Sequence, residues 1–495
     1  MDPILSKTQT LNRPSPKSRP SYQTRSKKAL LLFVILSLVF SSLLIVINVV
    51  IDPLQVYHKA SWYKPIFSRE ERYQNPGLAK NYDYDTIIIG TSMTQNFRPS
   101  EVGQILNGTT MKLSMEGSTA DEHYQIAKLA LSTGKVKKVL WGLDYFSLKT
   151  NTEEAVEQFP KYLYDDQIWN DYQYWFNYST YALLMKSLWQ MIKGANNTNL
   201  DLLNNWNNSA TFSKEKVAEA YDKAYQEEYY FGLNEEGLEV VQKNFNDYIF
   251  SLVKAYPDVE FYFYYPPYSV LRQVVWYNTN HERFTNQLDM RKWMFAQFST
   301  VSNVKLYDFQ SESEWTYQLG LYADLSHHHQ DVNSWIVQAI GRDDGKYRVT
   351  EQNIDTLNNQ LEQDAELTLL NNQHEALRLK VQMYNESVTF TKPKLIGDKE
   401  LLVPAKEAAK ALGLNLDWKQ ATHTITLKKE MNRLEMTVDS TQAKTSSGAI
   451  TLETAPVFIQ GKVYIPLVAV SSILGFTANP RIEGHEIYIN INPLR

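Results

Sequence analysis

At 495 residues with no cysteine, the chain is long enough for two or three domains and excludes disulfides and thiolate metal sites. Its formal net charge of −5 is unevenly spread: seven basic residues and one acid fall in positions 1–28, leaving 43 basic and 54 acidic residues in the remainder, about −11. An acidic body of this kind argues against a nucleic-acid partner, because phosphate binding draws on lysine and arginine.

Positions 29–51 carry no charged side chain. Twenty-three helical residues at about 1.5 Å each cover roughly 34 Å, enough for the hydrocarbon core of a bilayer. The apolar region of a secretory leader is only about 7 to 15 residues long. The sequence therefore predicts an uncleaved single-pass anchor in the cell membrane, with the basic tail 1–28 in the cytoplasm and the bulk of the chain outside.

Over 53–343 the pattern predicts five strands: Thr86 to Ile89, Thr110 to Ser114, Lys138 to Leu143, Val259 to Tyr265 and Val304 to Phe309. Helical patterns separate most of them, which implies right-handed crossovers and a three-layer α/β/α, flavodoxin-like parallel sheet. Residues 149–237 interrupt the alternation with a helical, ring-rich insertion that includes Tyr162, Tyr164, Trp169, Tyr172, Tyr174, Trp175, Tyr178, Tyr181, Trp189 and Trp206. Such rings suit sugars or a membrane interface, but the plainer expectation is that they pack a core of their own. The asparagine-rich stretch 196–208 reads as a loop. Asp331 is predicted to cap a helix that presents Val332, Trp335, Ile336, Ala339 and Ile340 on one face. The polar stretch 344–394, with Ile354, Leu357, Leu361 and Leu367, reads as a partly helical linker.

The last segment, 395–495, contains a repeat. Leu402-Val403-Pro404, Ala411-Leu412-Gly413 and His423-Thr424-Ile425-Thr426-Leu427 return 62 positions later as Tyr464-Ile465-Pro466, Ile473-Leu474-Gly475 and His485-Glu486-Ile487-Tyr488-Ile489. Each unit reads as a strand, a short helix stopped by glycine and a strand pair, so two units make a small α+β domain.

Chemistry concentrates at two short segments. Thr86-Ile87-Ile88-Ile89-Gly90-Thr91-Ser92 reads as a buried strand ending in a glycine turn, which puts the Ser92 hydroxyl at the carboxyl end of the sheet. A serine hydroxyl needs an imidazole to take its proton and a carboxylate to orient that imidazole. His327 and Asp324, in Asp324-Leu325-Ser326-His327, are the candidates. A zinc site on His327, His328 and His329 is a further reading, but it requires ligands from elsewhere.

Together, Ile89-Gly90-Thr91-Ser92, Asp324-Leu325-Ser326-His327 and the intervening strands resemble the SGNH hydrolase-like superfamily over about Tyr84 to Ile340. The likeness is to its membrane-anchored branch, which includes the D-alanyl transfer proteins of teichoic acid modification and the alginate O-acetylation proteins. The resemblance implies Ser92 as nucleophile, His327 as general base and Asp324 as the residue orienting it. It also implies an oxyanion hole built from the nucleophile's own N–H, a glycine N–H matched here by Gly117, and an asparagine whose position falls on Asp144. There the chain departs from the pattern, because an ionised aspartate cannot donate a hydrogen bond. Asp144 is then protonated, or binds substrate or a cation, or the site works differently. Tyr265 and Tyr268 close the fourth strand and are expected either to wall the site for a glycan or acyl group or to belong to a loop packed over the sheet edge.

The repeat segment resembles, over about Leu395 to Asn492, the copper amine oxidase N-terminal-like domain of Gram-positive surface proteins. That resemblance implies no copper or quinone chemistry, and repeat equivalence accounts for His423 and His485. No metal or cofactor is expected. The first functional reading is a membrane-anchored extracellular serine esterase or O-acyltransferase acting on a cell-surface polysaccharide or teichoic-acid-like polymer, with a membrane-bound acyl donor protein as a further candidate partner. The alternative is a non-catalytic cell-wall or polysaccharide-binding scaffold in a polymer-modification complex. Asp144 favours the scaffold; the serine, histidine and aspartate favour the enzyme.

Overall fold

The computed structural model describes residues 22–193, 199–226, 237–459 and 461–494; most of the basic tail lies outside them. The chain is mixed α/β, with a parallel sheet, one N-terminal apolar helix and a β-rich C-terminal domain. The N-terminal helix spans Tyr22–Ile51, and its segment Ser26–Ile51 is long and apolar enough to be a membrane span or a signal sequence. It ends in a hydrogen-bonded clamp. Asp52 turns the chain with φ 49°, a conformation aspartate tolerates better than most residues. Its carboxylate accepts the N–H groups of Val56, Tyr57 and His58 at 2.9, 2.7 and 2.9 Å and the Tyr174 hydroxyl at 2.7 Å.

Five parallel strands follow: β1 Thr86–Ile89, β2 Thr110–Lys112, β3 Lys138–Gly142, β4 Glu260–Tyr265 and β5 Val304–Asp308. Their order is β2-β1-β3-β4-β5, with every pair parallel. Alternate side chains enter separate clusters on the two faces. Ile87, Ile89, Val139, Trp141, Phe261 and Phe263 meet helix residues such as Ile126, Ala130, Met290 and Phe298. Ile88, Leu140, Tyr264 and Tyr307 meet Val102, Val332, Ile336 and Ile340. A strand buried on both faces has no reason to alternate polar and apolar residues, which explains the unbroken Ile87-Ile88-Ile89 run.

The insertion after β3 is helical among the described residues, with helices Glu153–Gln158, Tyr172–Trp175, Tyr178–Ile192 and Lys214–Gln226. Its rings divide. Tyr174 is buried with Leu163, Leu54 and Val56, whereas Trp169, Tyr172, Tyr178 and Trp189 are more than half exposed. The expectation that these rings pack a private core therefore holds for only part of the set.

Helix Ile354–Leu367 packs onto the sheet domain through Asn358, whose Oδ1 accepts from Arg291 Nε at 2.8 Å. The expected linker character ends there. Thr368–Leu370, Ala376–Met383 and Glu386–Val388 are strands, and Ala376–Met383 pairs in parallel with Glu486–Pro493. Leu377, Leu379, Val381 and Met383 bury in the C-terminal core. The interleaved Arg378, Lys380 and Gln382 give the segment its polar composition while one face stays apolar.

Candidate active site

Gly90 takes φ 148°, and a Cβ placed on it would lie 2.6 Å from Thr94 Cγ2. The turn after β1 therefore requires glycine. Next, Thr91 caps the short helix Ser92–Gln95 by accepting the Met93 N–H at 3.3 Å, and it donates to Asp144 Oδ2 at 2.5 Å. Ser92 thus begins a helix at the carboxyl end of β1, where the strand order reverses between β2 and β3. Open α/β sheets hold ligands at this switch point. Replacing Gly90 with alanine is expected to cost ~1–3 kcal/mol from the strained φ and the Thr94 clash; an unchanged denaturation midpoint would contradict that account.

Across the cleft, Ser92 Oγ lies 2.8 Å from His327 Nε2, and His327 Nδ1 lies 2.7 Å from Asp324 Oδ2. The remaining oxygen of Asp324 accepts the N–H groups of Ser326 and His327 at 2.7 and 2.9 Å, so the carboxylate also shapes the loop that carries the imidazole. Burial disfavours the charged imidazole, but the hydrogen bond and charge of Asp324, helped by Asp144, outweigh it and hold the His327 pKa above the usual value. Against the cost of burial, hydrogen bonds and charge from His327 with the two loop N–H groups hold Asp324 well below the usual carboxylate range.

The three consecutive histidines occupy different environments. His328 is buried and pushed down to about 4 by desolvation. His329, not Asp331, caps helix Gln330–Gly341 by accepting the Asp331 N–H. An imidazole nitrogen can fill the capping role expected of Asp331, whose carboxylate instead lies in the first turn.

Ser92, Asp324 and His327 open onto a cleft of about 610 Å³ lined also by Glu71, Gln95, Glu116, Asn204, Asn205, Trp206 and Asn208. Trp206 Nε1 donates to the Ser92 carbonyl at 3.1 Å, and its ring meets the His327 ring edge to face at 5.4 Å. Glu71 accepts from Gln95 Nε2 and from the Glu116 N–H. Burial, only partly offset by these bonds, pushes its pKa up to about 7. Sequence reasoning did not single out Glu71 or Gln95 and read Trp206 as packing; the one available signal is that Gln95 follows Ser92 by one helical turn.

Other expected site residues lie elsewhere. Gly117, φ 61°, lines a neighbouring cavity with Arg72, Thr119 and Tyr162, while its neighbour Glu116 faces the Ser92 cleft. Asp144 is buried behind the turn of Gly90, Thr91 and Ser92, where it accepts from both Thr91 and Tyr268. Burial raises its pKa against those two hydrogen bonds. Its part is to anchor Thr91 as an acceptor, a role open to a carboxylate and distinct from oxyanion donation. Tyr265 and Tyr268 are buried too, Tyr265 against a small inner cavity with Arg291, so neither walls the cleft.

In the C-terminal domain, the equivalent strands Glu400–Pro404 and Lys462–Pro466 pair antiparallel, with the equivalent residues Val403 and Ile465 opposite each other. The two repeat units are thus related by a local twofold. Residues 382–489 match the family model of the copper amine oxidase N-terminal domain. A search of curated proteins found no match. In this amine-oxidase-type domain, His423 and His485 sit in the hairpin turns before their strands, not within them. His423 stacks on Trp418 at 6.1 Å, while His485 rests on Tyr317 of the sheet domain at 5.3 Å. No group of three or more His, Cys, Asp or Glu suited to a metal occurs among the described residues. The donor set among the described residues does not fit a copper centre.

Proposed function

We propose that the chain is a membrane-anchored, outward-facing serine acyl-enzyme acting on a cell-surface polymer, built on a three-layer flavodoxin-like domain of the SGNH type. The observation that carries this reading is the continuous chain of contacts from Ser92 Oγ to His327 Nε2, 2.8 Å, and from His327 Nδ1 to Asp324 Oδ2, 2.7 Å. Neutral His327 keeps its Nδ1 proton, hydrogen-bonded to Asp324, and takes the Ser92 proton on Nε2 as Oγ attacks an ester carbonyl. Collapse of the tetrahedral intermediate breaks the bond to the leaving alcohol, which takes the proton from Nε2. An acceptor hydroxyl of the polymer, or water, then gives its proton to His327 Nε2 and attacks the acyl-serine; collapse of this second intermediate breaks the acyl–Oγ bond, and the proton returns from Nε2 to Ser92 Oγ. The Ser92 N–H at the helix start supports the developing oxyanion. The side chains of Asn204, Asn205 and Asn208 provide amide groups on the cleft wall. Transfer is preferred to hydrolysis by analogy with the resembled branch, and the amine-oxidase-type domain is assigned to holding the wall or a partner.

The deciding experiment is covalent labelling of the full chain by a fluorophosphonate probe, compared with Ser92→Ala. Labelling that depends on Ser92 is expected. Equal labelling of both proteins, or none of either, sinks the enzyme and leaves the scaffold reading in front. Asp144, a carboxylate where the resembled family has a donor amide, is the observation favouring that scaffold.

The rate should also depend on pH with a defined sign. General-base action needs neutral His327, so the rate is expected to rise with pH through a midpoint above the ordinary histidine value of ~6.5. Asp324→Asn removes the interaction that raises this pKa, so the midpoint should move to lower pH while the plateau falls. A midpoint that stays in place in the pH–rate profile would contradict the pairing.

A further inference from the structure

We propose that helices Tyr172–Trp175 and Tyr178–Ile192 lie in the outer leaflet beside the N-terminal helix, giving the protein a second, non-spanning membrane contact. This rests on the anchor part of the proposed function and not on its chemistry. Helix Tyr178–Ile192 exposes Tyr178, Met185, Trp189 and Ile192 by 85, 62, 58 and 75%. With exposed Ala182 they are spaced four, three, four and three residues apart, which is one face of a helix. The opposite side is already used: Thr180, Leu184 and Ser187 are buried. Just before it, Ile168, Trp169, Tyr172 and Phe176 are exposed by 50 to 74%. Among the described residues of this helix the exposed polar side chains, Ser179 and Lys186, lie seven residues apart along one edge of the apolar stripe.

The surface is continuous with the span. Tyr181 donates to the Leu44 carbonyl at 3.2 Å, and Leu44 lies seven residues, about 10 Å, before the helix end at Ile51. Fully buried Asn48 donates to the Tyr174 carbonyl at 3.1 Å. An amide inside a span requires such a partner. Exposed Leu43, Val46 and Val50 therefore lie on the span near the level at which the apolar stripe begins. At its far end Lys193 Nζ lies 5.0 Å from the Trp189 ring centre, the combination of aromatic ring and long basic stem that suits a headgroup boundary. With the Asp52 clamp, the two contacts hold the catalytic body against the bilayer instead of letting it swing on a tether.

The absence of cysteine makes the test direct. Single variants Met185→Cys and Ile192→Cys of the full chain are spin-labelled in lipid nanodiscs of phosphatidylglycerol and phosphatidylcholine, with Leu36→Cys in the span and Met431→Cys on the C-terminal domain as references. The ratio of relaxation by oxygen to relaxation by a water-soluble nickel chelate is expected to be several-fold higher at 185 and 192 than at 431, approaching that at 36. Ratios at 185 and 192 equal to that at 431, with 36 still lipid-like, overturn the proposal and leave the anchor intact. A water-like ratio at 36 removes the anchor and the proposal together. Protection at 185 that is lost when each disc holds one copy assigns the face to a second copy of the chain and overturns the proposal as well.

Discussion

Changing Ser92 to alanine is expected to lower release of p-nitrophenol from an acetyl ester by on the order of 10,000-fold, and His327→Ala by a similar factor. In the proposed mechanism the two side chains act as one unit: the imidazole has nothing to deprotonate without the hydroxyl, and the hydroxyl stays a poor nucleophile without the imidazole. The double variant should therefore be little slower than either single one. Multiplicative losses would mean that the 2.8 Å contact between Ser92 Oγ and His327 Nε2 is not the reactive pair. Asp324→Asn should cost less than loss of Ser92, because this carboxylate fixes the tautomer and steadies the imidazolium without bonding to substrate. An esterase signal unchanged by Ser92→Ala would refute the mechanism.

The largest effect on stability is expected from Asp308→Ala. Asp308 and Arg291 form an ion pair with side-chain exposures of 0 and 1%. The same guanidinium donates to Asn358 at 2.8 Å and to Gln310 at 2.5 Å, and stacks over Tyr265 at 4.8 Å. It therefore joins β5, helix His281–Phe298 and helix Ile354–Leu367. Removing Asp308 leaves a buried cation without its counter-charge, and a loss of ~3–5 kcal/mol follows. Replacing both partners, Asp308→Ala with Arg291→Met, should recover part of that loss, because no uncompensated charge remains. Urea denaturation of the detergent-solubilised chain measures both variants. A single-variant loss below ~1 kcal/mol would mean that water reaches the guanidinium.

The clarity of the sheet in the sequence has a local cause. Thr86–Ile89 forms over the expected residues, and the other four strands fall within a few positions of theirs, because a strand buried on both faces needs an apolar run and the turn after it needs Gly90. The 62-residue repeat was legible for a similar reason: two like units meet about one axis and need the same residues at the same places. The strands at 368–388 were obscured because Arg378, Lys380 and Gln382 alternate with core residues, so composition hides the apolar face.

Site residues divide along the same line. Gly90, Ser92, Asp324 and His327 lie in two short segments whose local chemistry is self-contained: a strand ending in a glycine turn, and a carboxylate three residues before an imidazole. The amino-acid sequence determined these segments, the apolar N-terminal helix and the repeat, since each depends on neighbours in the chain. Tertiary structure alone decided what surrounds them. Trp206 reaches the Ser92 carbonyl from the insertion, Glu71 enters the cleft from a helix before the sheet, and Gly117 faces a different cavity from its neighbour Glu116. Asp144 and Tyr268 turn inward to each other because a buried carboxylate requires donors, and the hydroxyls of Thr91 and Tyr268 are the ones the packed sheet brings to it.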